Sequence, residues 1–211
     1  MRVLGGRFVV LIGPDGAGKT TLAGHLLAAV DSPTMYVHFR PALLQRPPST
    51  PPKPSKPPVK RTNPGNPVIG WLRLTQSVVL FWLGYLRWIR PVLAKSGLVV
   101  GDRWGYGYVG QPAALGFAGP RSLAQWATRL IPRPDLIVRL RGEPLVISQR
   151  KGDLTVTEIE REDAAWDTLL LPVWELDANG EPPVLAEAIM DRLFSENVNS
   201  QQIKAEFETE V

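Results

Sequence analysis

Eight residues, Gly13-Pro-Asp-Gly-Ala-Gly-Lys-Thr20, follow the spacing G-x-x-x-x-G-K-[ST] without a gap. Gly13, Gly16 and Gly18, with the small Ala17 between them, let successive backbone N–H groups face inward around an anion. Lys19 supplies a cation that reaches the terminal phosphates of a nucleotide; the Thr20 hydroxyl is a ligand for Mg2+, and Thr21 extends the polar rim. Asp15 stands inside this loop, where its charge repels the phosphates that the loop attracts. Two readings of it stay open: it faces an acceptor or a metal-bound water as a base or orienting group, or it hydrogen-bonds the loop into shape.

A second cluster, Asp102-Arg103-Trp104, ends the apolar run Gly97-Leu-Val-Val-Gly101. Phosphoryl transfer needs charge compensation around the moving group and two oxygens roughly in line. Asp102 suits Mg2+ or its water shell, and alternatively an acceptor hydroxyl; Arg103 can bridge donor and acceptor oxygens. Arg150, in the short segment Arg150-Lys-Gly-Asp153, suits a lid that carries an arginine onto the phosphates and excludes water. On the acceptor side stand His38 and Arg40, which alternate with Tyr36, then Arg73 and the aromatic set Trp104, Tyr106 and Tyr108, which can stack on a ring or simply pack. Two histidines (His25 and His38) are too few for a metal centre.

These residues need elements to hold them. Phe8-Val-Val-Leu-Ile12 ahead of the loop reads as a strand, and Thr21 to Val30 behind it as a helix. Thr34 to Phe39 reads as a second strand, and Gly97 to Gly101, Pro134 to Leu140 and Val173 to Asp177 as three more. Helices are expected over about 68–95, with Pro91 kinking it or starting a new turn, and over 121–131, 157–171 and 183–194; 143–150 reads as helical or turn-like, and the glycine- and tyrosine-rich stretch 105–110 as a loop. Alternating strands and helices predict a parallel five-stranded sheet covered on both faces, an α/β/α sandwich, whose ligands gather outside the carboxyl ends of the strands. Arg139 and Arg141 imply either an edge position or cleft-facing charges for the fourth strand.

The 211 residues predict one domain over 1–195, interrupted by a proline-rich insertion at 46–67, with a lid at 148–156 and a polar tail at 196–211. Five basic and no acidic residues between Arg46 and Arg61 make the insertion an extended, solvated positive flap. The formal charge of +4 suits an anionic small molecule, and the basic clusters are too narrow for a nucleic-acid groove. No cysteine is present, which excludes disulfides and thiol catalysis. The few residues before the first strand leave no room for a signal peptide, so a cytoplasmic protein is expected. Arg73 and Arg87 bound only 13 uncharged residues within the aromatic helix, too short to span a bilayer, although that helix can rest on a membrane surface.

Gly13 to Thr21, Arg90-Pro-Val-Leu-Ala-Lys95, Asp102-Arg103-Trp104, Pro134-Asp-Leu136 and Asp177-Ala178 occur in the order that resembles the thymidylate kinase-like family of P-loop kinases. The resemblance extends over almost the whole chain except the insertion and the tail. It implies the P-loop NTPase fold, ATP as donor with Mg2+, a lid arginine at Arg150, adenine contact at Ala178, and a homodimer built on long helices. The departures are at the acceptor side. Phe39-Arg40-Pro41-Ala42 replaces the family's Arg-Glu-Pro-Gly, and Phe81 and Leu83 stand where the family grips a nucleotide phosphate with arginine and glutamine. Arg141 replaces an aspartate. The resemblance implies a nucleoside monophosphate of the dTMP type or a nucleoside as acceptor, and the departures, which weigh against thymidylate synthesis, give a sugar or sugar phosphate of surface polysaccharide metabolism as the alternative. An ATP-binding regulatory protein without turnover is the competing class.

Overall fold

The computed structural model describes residues 5–40, 43–52, 67–112, 115, 117–151 and 154–193. At its centre is β1 (Arg7–Ile12), which feeds the glycine loop and then α1 (Lys19–Ala28). β1 pairs in parallel with β3 (Leu98–Asp102) on one side and β4 (Leu136–Arg141) on the other. β2 (Thr34–His38) and β5 (Trp174–Asp177) close the edges, giving five parallel strands in the order β2-β3-β1-β4-β5. From β1 the chain passes to the edge strand β2, returns to β3 between them, and then crosses β1 to β4 and β5 on the other side. β1 is thus the switch point, where the carboxyl ends of the strands diverge into a crevice.

Alternation along β1 divides the core into two layers. Phe8, Val10 and Ile12 face one side, where they pack with α2 (Pro67–Gly84) and α5 (Arg121–Leu130) through Leu74, Phe81, Ala124 and Ala127. Val9 and Leu11 face the other, against α1 and the final helix, α8 (182–193), through Leu22, Leu26, Ala186 and Ile189. This is the expected α/β/α sandwich.

The long aromatic helix differs from one continuous rod. α2 runs into a π-helical turn at Tyr85–Ile89 and then α3 (Arg90–Leu93). Pro91 has no N–H to give and its ring crowds the carbonyl four residues back. The wider turn accommodates it: the Arg90 N–H bonds to the Tyr85 carbonyl, five residues away. Among the described residues no helix is long and apolar enough to cross a membrane.

The stretch after β3 is not a loop. A 3-10 turn (Trp104–Tyr106) leads directly into α4 (Gly107–Gly110), because Arg103 and Trp104 take φ of 65° and 46° and fold the chain back beneath the sheet. α6 (Pro144–Lys151) precedes α7 (Val156–Trp166), which starts on a capping box between Thr155 and Glu158. α7 stops five residues before the expected 171; Pro172 disfavours helical geometry in the residue ahead of it.

Of the insertion, the first part runs along the β2 edge, where the Tyr36 N–H donates to the Pro48 carbonyl at 2.8 Å. A proline-bearing segment thus occupies an edge that would otherwise offer itself to another strand. The basic residues Lys53 to Arg61, the centre of the expected lid at 152–153 and the tail lie outside the described residues.

Candidate active site

Strand register aligns the polar ends. Leu11 of β1 and His38 of β2 both pair with Asp102 of β3, so the glycine loop, Asp102 and His38 emerge side by side. In the loop Gly13, Gly16 and Gly18 have φ of 135°, 92° and 86°, as inward-turned amides require. Gly13 is doubly constrained, since a Cβ there would overlap the Leu140 carbonyl. Lys19 is buried, with its ammonium donating to the carbonyls of Gly13 (2.9 Å) and Pro14 (2.6 Å). Thr20 and Thr21 are exposed at the mouth of the loop.

Asp102 is buried and its two oxygens differ. Oδ2 accepts from the Tyr36 hydroxyl at 2.9 Å and from His38 Nδ1 at 3.3 Å, whereas Oδ1 is buried with no hydrogen-bond partner among the described residues. Burial alone would raise its pKa, but the His38 hydrogen bond, the Lys19 charge and Tyr36 outweigh it and hold the carboxyl below the usual range. Burial and the neighbouring Asp102 push the Tyr36 phenol upward, so it remains the donor of that pair.

Asp15 is neutralised in place. Arg103 Nη2 forms an ion pair with its Oδ1, and Lys19 stands 3.9 Å from the same oxygen. A carboxylate inside a phosphate loop is tolerable here because two cations flank it; this geometry favours the loop-shaping reading of Asp15. Burial lowers the Arg103 pKa, while the charge of Glu162 raises it.

Glu162, on α7, has no counterpart among the sequence expectations. Its Oε2 accepts from Gln111 Nε2 at 2.7 Å and from the Asp15 backbone N–H at 3.3 Å. Burial raises its pKa against the pull of Gln111, Lys19 and Arg103. In sequence it belongs to Glu160-Arg-Glu-Asp163, indistinguishable from an ordinary solvated helix face.

Arg150 and Ala178 are brought together: Arg150 Nη1 donates to the Ala178 carbonyl and Nη2 to Asn179 Oδ1, both at 2.8 Å. The guanidinium is thus tied to the loop behind β5, and Arg103 is the arginine on the phosphate loop itself. Arg40, exposed beyond β2, donates to Ser77 Oγ at 3.1 Å, and Ser77 shares a 2.6 Å hydrogen bond with Tyr108. Arg73 is exposed on α2, one helical turn before Ser77.

Trp104 and Tyr106 are turned into the core. Both are fully buried; Trp104 packs edge-on against Phe8 and Phe81, and Tyr106 lies beneath the sheet. The positive φ values at 103 and 104 direct them there. Phe81 is 1% exposed, whereas Leu83 is 46% exposed on the outer side of α2. Arg139 is neither on an edge strand nor free in a cleft. β4 lies between β1 and β5, and buried Arg139 joins α7 to β5 through Asp163 (2.6 Å), Asp167 (2.6 Å) and Glu175 (3.1 Å). Arg141 joins the same network at Asp163.

No group of three or more side chains that could hold a metal occurs among the described residues. A Mg2+ ion held by one carboxylate, one hydroxyl and substrate phosphates needs no such group. Asp102, ionised and with an unpartnered buried Oδ1, fits that requirement, as does exposed Thr20.

No family model matches the chain, and no curated protein does. Solved structures do. Thymidylate kinase from Candida albicans superimposes with a TM-score of 0.63 at 16% identity, over 91% of this chain and 92% of that one. The fold is that of thymidylate kinase. A second protein of this shape is YorR of Bacillus subtilis, solved in complex with phosphorylated GDP, with a TM-score of 0.56 at 14% identity over 90% of this chain and 97% of that one. The thymidylate-kinase fold accounts for the strand order and for the loop, Asp102 and His38 at one end of the sheet.

Proposed function

We propose that the chain is a small-molecule phosphotransferase that moves the γ-phosphoryl group of Mg-ATP to a nucleoside monophosphate of the dTMP type or to a nucleoside. The observation that carries this reading is the convergence of Lys19, Asp15–Arg103 and the unpartnered Asp102 Oδ1 at the switch point of the sheet. The loop amides and Lys19 would take the β- and γ-phosphates, with Arg103 beside them. Thr20 and Asp102 would hold Mg2+, which supplies charge neutralisation and alignment of the phosphate oxygens.

The bond from an acceptor oxygen to the γ-phosphorus forms while the bond to the β–γ bridging oxygen breaks, releasing ADP. A phosphate acceptor attacks as an oxyanion and needs no base. A hydroxyl acceptor must lose a proton, and the two carboxyls suit different tasks. Asp102, held below the usual range, is a weak base and a good metal ligand; Glu162, raised by burial, is the better proton carrier. Arg150 and Ala178 would frame the adenine.

One observation favours the second acceptor class, a sugar or sugar phosphate. Phe81 fills the core and Leu83 points outward, so neither grips a nucleotide phosphate. The Arg40–Ser77–Tyr108 chain offers a cation and hydroxyls in their place. We further propose a homodimer through the exposed apolar face of α2 and α5, which carries Trp71, Leu72, Trp82, Leu83, Leu86 and Trp126 at its surface or on the adjoining π-turn.

ADP release with Mg-ATP tests the reading, using thymidine, thymidine monophosphate, a hexose and a hexose phosphate as acceptors. One acceptor should stimulate release, and Lys19→Ala should lower it by roughly 10²–10³-fold. Release that no acceptor raises above the Lys19→Ala background would refute it.

A further inference from the structure

At the end of the sheet opposite the phosphate loop, a cavity of about 300 Å³ opens where β4 and β5 begin. Leu136, Ile137 and Val173 give it an apolar wall, and the exposed Arg133 and Arg192 line it with cations. Arg192 is set over the Trp174 ring at 4.6 Å from its centroid, which fixes the guanidinium beside the opening. The acidic lining residue, Asp135, is already engaged: it accepts the Phe8 N–H at 2.7 Å and lies 3.6 Å from Arg7. Two cations and one carboxylate thus stand among the lining residues.

Tyr106 gives the second, independent observation. Its side chain is fully buried and lines the cavity, yet its hydroxyl has no hydrogen-bond partner among the described residues. Buried polar atoms are nearly always paired, so this hydroxyl has a hydrogen bond left to give where its side chain borders the cavity. Phosphoryl transfer at the other end of the sheet makes no use of this residue.

We propose that the cavity is a second small-molecule site, and that its ligand is a small organic anion. The apolar body lies along Leu136, Ile137 and Val173, and a carboxylate or phosphate head accepts from the Tyr106 hydroxyl and from Arg133. The site stands independently of the function proposed above.

Phenyl phosphate and benzoate are the probes, titrated calorimetrically into the full chain and followed by tryptophan fluorescence. Saturable binding of at least one is expected, weakened about tenfold in Tyr106→Phe and in Arg133→Ala and unchanged in Lys19→Ala. Tyr106→Phe removes only an unpartnered hydroxyl, so its thermal midpoint should equal or exceed that of the parent; should it fail to fold, exposed Arg133→Ala carries the comparison alone. Binding that Lys19→Ala abolishes and Arg133→Ala leaves intact would place the probe in the phosphate loop and overturn the proposal. Absence of saturable binding by either probe would overturn it equally.

Discussion

Asp102 and Glu162 lie near one another in the chemistry and titrate in opposite directions. Asp102 is depressed in the folded state, so its contribution to stability is present above the ordinary aspartate value of about 3.9 and fades as pH falls through the lower folded value. Glu162 is raised. The folded state then binds the extra proton, and stability falls as pH rises from about 4.3, the ordinary glutamate value, through the raised folded one. Urea midpoints measured on the Glu162→Gln variant between about pH 4 and pH 7 should therefore gain on the parent as pH increases; a gap that is constant with pH would show that Glu162 is unperturbed. Asp102→Asn should reduce turnover by roughly 10²–10³-fold with thermal stability retained at low pH, where the parent's carboxyl is also neutral. Steady-state kinetics and calorimetry check the two halves separately.

α4 and α7 decide where Glu162 stands, and their contact depends on a residue with no side chain. A Cβ on Gly110 would overlap the Trp166 ring, so α4 approaches α7 more closely than any other residue allows. Gly110→Ala should cost roughly 1–3 kcal/mol in a denaturant titration, the range for overpacking a dense core, and should also reduce turnover by displacing Gln111 and Glu162. The capping box that starts α7 is a milder test of the same helix. Thr155→Ala should cost about 1 kcal/mol while leaving the kinetics almost unchanged. Pro91 acts at this scale too: it makes the end of the long helix take a π-turn, which the sequence announces only as a kink or a fresh start.

At the scale of the molecule, Arg139 couples the sheet to the helix that carries Glu162. Removing it leaves Asp163, Asp167 and Glu175 with Arg141 as their remaining cation. Arg139→Ala should destabilise the protein by roughly 1–3 kcal/mol, because Asp167 and Glu175 are half exposed and water screens the carboxylates it leaves behind. Equilibrium unfolding measures this directly. The apolar face of α2 and α5 makes a separate prediction. Leu86→Glu and Trp126→Glu should shift the protein from dimer to monomer in sedimentation analysis; a parent chain that is already monomeric at high concentration would dispose of the dimer.

Local chemistry made part of this legible in the sequence. The glycine spacing before Lys19 demands inward-turned amides whatever surrounds them, and alternating apolar strands and helices leave little but a parallel sheet between two helical layers. Asp102 could be picked out because a carboxylate directly after an apolar strand falls at the ligand-binding end of such a sheet. Other assignments depended on contacts between distant residues, which composition and periodicity do not encode. For Trp104 and Tyr106 the sequence leaves stacking and packing equally open, and the fold buries both. Arg139 read as an edge or cleft charge until α7 covered it with carboxylates. Glu162 had no signal at all, since an acidic helix face looks the same over water as over a phosphate loop. What the sequence by itself determined is the glycine loop with its inward-turned amides, because its conformation follows from its own residues. Only the tertiary structure decided which carboxyls and arginines surround that loop, because their charges and pKa values are set by neighbours far off in the chain, such as His38 for Asp102 and Gln111 for Glu162.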